Sequence, residues 1–419
     1  MSILPILLIP LMATLLGTPL LPATLAEGAA PSYSRDVAPI IQRRCQECHR
    51  PGEAAPMALL DYAGVRAHAK TIRRVVERRE MPPWHADPTY GEWRNDRRLS
   101  DEELKTLLSW VDAGAPEGDP TDLPPPIPFI EGWRIGKPDV VFQLPREFTV
   151  KASGEVPYQY FTVPTDFKED HWIQAAEARP GNRAVVHHII VFVQEPEKRG
   201  LDSKNLWSTH LCGTAPGEEA DAFPPGTAKL VKAGSKLIFQ MHYTPSGKEE
   251  KDRSQVGLIF AREPVRQRIQ IQGAMNQRFI LPPGANNHQV TSAYRFKQDS
   301  VILALMPHMH LRGKDFRYEL LYPDGRRDTI LNVPRYDFSW QHSYVPKAPI
   351  RVPEGTRLEC TAHFDNSTGN PANPDPTREV RWGDQTWEEM MIGFVTFTQE
   401  HENLLAPAAA APAESTRAF

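Results

Sequence analysis

The chain is poor in cysteine, in clustered positive charge and in long apolar runs, and each shortage removes a class of protein. Four cysteines in 419 residues are too few for a small disulfide-built scaffold. Cys45 and Cys48 share one short motif, so Cys212 and Cys360 leave at most one internal disulfide, and their wide spacing does not say whether they meet. Forty-eight Lys and Arg against 52 Asp and Glu give a net charge of -4 with no dense basic patch, which argues against a nucleic-acid partner. After the N-terminal stretch, no run is long and apolar enough to span a bilayer.

That N-terminal stretch, Met1 to Ala26, carries no charge. Its apolar run from Ile3 to Leu21 is followed by small residues at Ala23, Thr24 and Ala26, the pattern of a secretory signal over residues 1–26. A periplasmic or secreted protein is expected. The lack of Lys or Arg before the run, and Pro5, Pro10, Pro19 and Pro22 within it, leave an uncleaved membrane anchor as the alternative.

What is abundant is proline, 41 residues, which suits a loop-rich β protein. The expected architecture is multidomain: a small all-α domain followed by two all-β antiparallel sandwich domains of jelly-roll type. The helical domain covers 31–118. Ser100 with Glu103 forms a capping box, and Leu104, Leu107, Leu108 and Val111 follow at helical spacing. Ile72 to Arg79 reads as a second helix, ended by Met81-Pro82-Pro83. A proline-rich, semi-rigid linker spans 119–131. Short β-branched and aromatic runs then recur at Val140 to Leu144, Val185 to Val193, Lys236 to Tyr243, Val301 to Leu305 and Met390 to Phe397. They divide into sandwiches at 132–262 and 263–400, and the Ala- and Pro-rich tail at 401–419 is expected to be disordered.

Cys45-Gln46-Glu47-Cys48-His49 is a C-x-x-C-H motif, whose two thiols form thioethers to haem while the histidine reaches the iron. The alternative is a chance cysteine pair forming a disulfide or metal site. Met81, held by two prolines, is the expected sixth ligand, with Met57 and His85 as rivals; a thioether would raise the potential. The segment resembles a class I cytochrome c domain, which implies haem c and electron transfer at an iron with no open position.

Five of the fourteen histidines fall in three short strings, Val186-His187-His188-Ile189, Gln240-Met241-His242-Tyr243 and Met306-Pro307-His308-Met309-His310. A strand puts His308 and His310 on one face, ready to share a metal. Adjacent His187 and His188 would point apart on a regular strand, so sharing a metal requires irregular backbone there. Imidazole suits copper, zinc, iron and nickel alike, and an added thioether favours Cu(I). Spacing leaves the metal open, and zinc is one candidate.

In this order the strings resemble the copper type II, ascorbate-dependent monooxygenases, which include the peptidylglycine alpha-hydroxylating and dopamine beta-monooxygenases. The resemblance runs from about Gly132 to Gln399. It implies two copper ions facing each other across a wide, water-filled cleft. His187, His188 and His242 would hold the electron-transfer copper. His308, His310 and Met390 would hold the oxygen-activating copper, with Met391 the rival to Met390. The implied reaction is hydroxylation of a C–H bond by O2, with electrons from the fused haem and, outside the chain, from ascorbate or another reductant.

Three positions depart from the family. An arginine and an asparagine–tyrosine pair that contact substrate in the peptide-hydroxylating relatives are replaced by Met306, Ile392 and Phe394. A carboxylate there would lack partners, at a cost of several kcal/mol, so an uncharged, largely apolar small molecule is the expected substrate. Arg312 and Lys314, just beyond His310, are the cations that could reverse this, but they read as surface residues. The cysteine paired beside the family's methionine ligand corresponds to Met391, leaving Cys360 without that mate. A non-catalytic electron-transfer or copper-binding protein is the alternative function.

Overall fold

The computed structural model describes residues 30–53, 55–130, 132–198, 206–215 and 220–406. The expected signal segment and residues 407–419 of the expected tail lie outside them. The fold is mostly β, built from antiparallel sheets, with a helical unit at the start.

The helical unit forms where the sequence supplies helix ends and apolar stripes. Its helices are Ala38–Arg44, Tyr62–Ala67, Ala69–Glu77 and Asp101–Asp112. Asp101–Asp112 opens on the expected capping box. Ser100 Oγ accepts from the Glu103 N–H at 3.1 Å, and the Glu103 carboxylate accepts from the Ser100 N–H at 2.9 Å. Tyr33, Ile41, Val65, Ile72, Leu107 and Trp110 form its core. The segment after the Ala69–Glu77 helix leaves this core. Trp84, Ala86 and Trp93 are buried in the core of the second β unit. There Asp87 N–H donates to Asn332 O and Arg94 N–H to Val345 O, each at 2.8 Å.

The first β unit stacks two sheets over one core. One sheet runs Val140–Gln143, Gln255–Phe260, His171–Arg179, Thr227–Val231, Gln267–Arg268; the other runs Gln159–Pro164, Lys236–Tyr243, Val186–Gln194, His210–Thr214. Ile173, Ala176, Val231 and Leu258 from the first meet Ile189, Val191, Leu237 and Phe239 from the second, the layout of a sandwich. The second unit repeats it. Gln270–Met275, Ile392–Gln399, Ser300–His308 and Ile350–Val352 face His288–Arg295, Arg357–Phe364, Gly313–Leu321 and Arg327–Val333. Arg357–Phe364 alternates strictly between outward and buried residues, as a half-buried strand must. Cys212 lies in the first core and Cys360 in the second, both as free thiols, so they do not pair.

A further apolar cluster joins the two β units: Phe192 and Ile238 from the first, Ile271, Met390, Ile392 and Phe394 from the second, with Trp207. It draws together the edges that carry the histidine strings. Among the described residues, no helix is long and apolar enough to cross a membrane.

Candidate metal centres

His187 and His188 open the strand Val186–Gln194, where the register against Lys236–Tyr243 shifts between Val186 and His188. This bulge resolves the difficulty of adjacent histidines, because an extra residue breaks the alternation and lets both rings turn the same way. His188 then pairs with His242 across the ladder. Nδ1 of His188 lies 3.3 Å from Nδ1 of His187 and 3.4 Å from Nδ1 of His242. Among the described residues these three are the one group of three or more His, Cys, Asp or Glu side chains close enough to hold a metal ion. Burial favours their neutral form. It lowers His187, drives His188 well below the usual imidazole range, and takes His242 to about 3. Three converging neutral imidazoles offer lone pairs to one point, so the residues fit a metal of the imidazole-binding class.

The second set sits where Ser300–His308 ends. His310 lies two residues past the strand, yet its ring stays 5.3 Å from that of His308, at 89°. His308 Nδ1 faces Gln341 Oε1 at 2.6 Å, and His310 Nδ1 faces the Glu388 carbonyl at 3.2 Å. Both acceptors place the proton on Nδ1 and leave each Nε2 lone pair for a metal. Burial lowers His308 to about 4 and His310 well below its usual range. Packing separates the two methionines expected as rivals for a third donor. Met390 lines a cavity of about 280 Å³ with His308, His310 and His188, whereas Met391 is fully buried in the second β core beside Cys360. Two imidazoles and a thioether fit a metal that cycles through a soft, reduced state.

His188 of the first set thus lines the same cavity as His308, His310 and Met390. The Phe338 ring lies 5.5 Å from His187, nearly parallel, and 5.8 Å from His310. Tyr158, pushed up to about 12 by burial, packs 4.9 Å from His242 and is bonded to Thr386, whose hydroxyl is 3.4 Å from His242 Nε2. The charges of His308 and His310 contribute to lowering His188. The apolar cluster between the β units accounts for this closeness.

Arg312 corrects an expectation. It is 2% exposed rather than a surface residue. The chain turns back after His310 instead of running out to solvent. Arg312 Nε donates to Asn366 Oδ1 and Nη1 to Trp387 O, each at 2.9 Å, while Glu389 accepts the backbone N–H groups of His310 and Arg312 at 2.8 and 2.6 Å. Burial pushes Glu389 up to about 8. Arg312 thus braces the segment carrying Met390. Lys314 is exposed, as expected.

In the helical unit, Cys45 and Cys48 are free thiols and not a disulfide. His49 Nδ1 faces the Met57 carbonyl at 3.2 Å, which leaves Nε2 for a metal. The Met57 backbone therefore lies behind the imidazole. Met57, not Met81, packs against the helical core with Cys45. The His85 ring lies 6.2 Å from that of His342 in the second β unit. Open thiols beside an oriented histidine fit a covalently attached haem. Cys48 and His187 line the same cavity, of about 390 Å³, together with Arg97, Arg134, Arg183 and Trp340.

Sequence reasoning missed Phe338, Gln341, Trp207, Tyr158 and Thr386. None is a typical ligand and none stands in a histidine string, so only the aromatic-rich run Phe338-Ser339-Trp340-Gln341-His342 could have drawn attention.

No family model and no curated protein matches the chain. Solved structures give faint likenesses. A structure of the infectious bursal disease virus Gx strain is 9% identical over 62% of this chain and 72% of its own, with TM-score 0.17. The PBCV-1 VP54 structure fitted into a reconstruction of the virophage Sputnik is 8% identical over 67% of this chain and 100% of its own, with TM-score 0.24. A putative secreted protein from Eubacterium rectale is 7% identical over 58% and 69%, with TM-score 0.17. At these scores they carry no argument about this chain.

Proposed function

We propose that the protein is an exported copper-dependent monooxygenase of the type II, ascorbate-dependent kind, fused to a class I cytochrome c domain. It hydroxylates a C–H bond of a small uncharged organic substrate. The observation that carries this reading is an all-imidazole set, His187, His188 and His242, whose His188 lines the same cavity as His308, His310 and Met390. Zinc has no use for a thioether donor or for two unlike sites, whereas a copper couple has a use for both.

Two coppers would supply the one-electron steps and the oxygen-binding position, and haem on Cys45, Cys48 and His49, with Met81 as sixth ligand, would supply single electrons from an external donor. The chain's own residues do the rest. Gln341 and the Glu388 carbonyl orient His308 and His310. Glu389 and Arg312 fix the turn that presents His310 and Met390. Met306, Ile392 and Phe394 offer a carboxylate no partner, and Met306 and Phe394 line the apolar lobe beside His308. Cys48 opposite His187 supports the haem as the local electron source.

The test is metal analysis of the purified protein, followed by oxygen uptake of the reduced, copper-loaded chain with neutral and carboxylated candidates. Two coppers, one covalent haem and uptake dependent on a neutral substrate are expected. Zinc in both sites, or reduced copper that consumes no oxygen with any candidate, would favour a binding or electron-carrier role instead.

A further inference from the structure

Beside His308 the shared chamber has a second lobe of about 90 Å³, walled by Ile190, Trp207, Ile271, Met306 and Phe394. It shares His188, Ile190, Trp207 and His308 with the larger cavity. Cavities somewhat larger than this admit benzene, so the lobe takes a fragment of about four to six heavy atoms.

Three histidines and one amide, His188, His210, His308 and Gln341, line the lobe beside the Trp207 indole. His188 and His308 belong to the metal sets. Gln341 is engaged at both ends, with His308 and with the Phe338 carbonyl. The fourth is His210, at the start of the strand His210–Thr214. Its Nδ1 is buried and has no hydrogen-bond partner among the described residues. Burial, with Lys229 nearby, keeps its ring neutral. A buried polar nitrogen left unpaired is unfavourable, and a ligand oxygen would remove that cost.

We propose that His210 is a specificity-determining residue of the substrate chamber. It selects a small neutral molecule whose hydroxyl or carbonyl oxygen bonds to the imidazole while its hydrocarbon part fills the lobe against Trp207 and Phe394. The C–H bonds of such a ligand lie beside His308. The inference rests on the proposed function insofar as this lobe adjoins the reacting metal.

The test is equilibrium binding of cyclopentanol and of methylcyclopentane, matched in size, to the full haem- and copper-bearing chain by calorimetry. Wild type should prefer the alcohol, and the imidazole ¹⁵N resonance of His210 should shift on alcohol binding. His210→Leu should weaken cyclopentanol about tenfold, the equivalent of about 1.4 kcal/mol, and leave methylcyclopentane unchanged. Equal affinities in wild type, no binding of either probe, or unchanged alcohol affinity in His210→Leu would each overturn the proposal. The wild-type preference and the ¹⁵N shift decide it even if the variant does not fold. Copper content, measured separately, keeps the two ideas apart. His210-dependent alcohol binding by a chain that holds no copper would sink the copper reading alone. Two coppers with alcohol binding indifferent to His210 would sink this proposal alone.

Discussion

Replacing Gln341 by leucine should weaken one metal set and spare the other. Gln341 is 5% exposed and holds His308 Nδ1 at 2.6 Å, the shorter of the two contacts that orient the second set. Leucine keeps the volume and removes the acceptor. The ring is then free to choose the other tautomer, which puts a proton where the metal should bind. Outer partners of this kind contribute about 10- to 100-fold in metal affinity, or about 1.4–2.8 kcal/mol. In the metal-free protein the same change leaves the His308 N–H buried without a partner, at about 1–3 kcal/mol of folding stability. The assay is competition for Cu(I) against a calibrated chelator, with metal content resolved by spectroscopy of the two sites and stability by denaturant melts. Gln341→Glu should restore binding, since a carboxylate can also accept from Nδ1. Unchanged affinity at the His308 set, or equal loss at both sets, would refute the reasoning.

Further outcomes follow from the same geometry. His308→Ala should empty the thioether-bearing set while copper stays at His187, and His242→Ala the reverse, as read by metal content and spectroscopy; joint loss in either variant would show that the sets are not separate. Arg312→Ala should cost about 1–3 kcal/mol of stability in a chemical melt, because it strips bonds to Asn366 and Trp387. A stable variant with altered preference for acids would make Arg312 a substrate contact instead. Met81→Ala should lower the haem potential, and an unchanged potential and spectrum would move the sixth ligand elsewhere. The metal-free protein should be acid-labile. His187, His188, His210, His242, His308 and His310 all titrate below their usual 6.5 when folded, so the unfolded chain binds more protons below that pH. Stability is then full above pH 6.5 and falls as pH drops, through about 4 for His308 and about 3 for His242, by about 1.4 kcal/mol per unit for each group. A flat profile from pH 7 to 5 would contradict burial as the cause.

Local signals carried far in this chain. Lys236–Tyr243 was legible to the residue because a short apolar and aromatic run is bounded there by Gly234 and Pro245, and the helix after Ser100 because its cap is chemical and local. The histidine strings stood out because rare donors cluster in strand-like runs. What could not be read was long-range. The bulge at His187 depends on register against a strand some fifty residues away. Arg312 looked exposed because the strand's continuation was extrapolated, whereas a turn and Glu389, distant in sequence, bury it. The excursion of Trp84 to Trp93 into another unit's core left no trace in a pattern that reads equally as a loop of the helical unit.

One segment explains how three sites on three units come to be arranged together. Between the strands Arg327–Val333 and Ile350–Val352, the Phe338 ring lies against His187 and His310 and within 6.5 Å of His242. Gln341 orients His308. Trp340 lines the cavity that holds Cys48 and His187, and stacks on His342, whose ring meets Trp84 and His85. No residue from Phe338 to Gln341 is proposed as a ligand, so a reading of donor spacing passes over the segment. Yet a shift of this loop would move the contacts of both histidine sets and of the helical unit at once, because close-packed interiors transmit displacement instead of absorbing it. Phe338 therefore acts as a spacer between His187 and His310, beside the apolar cluster that joins the two β units, and the distance between those two rings should change with that side chain.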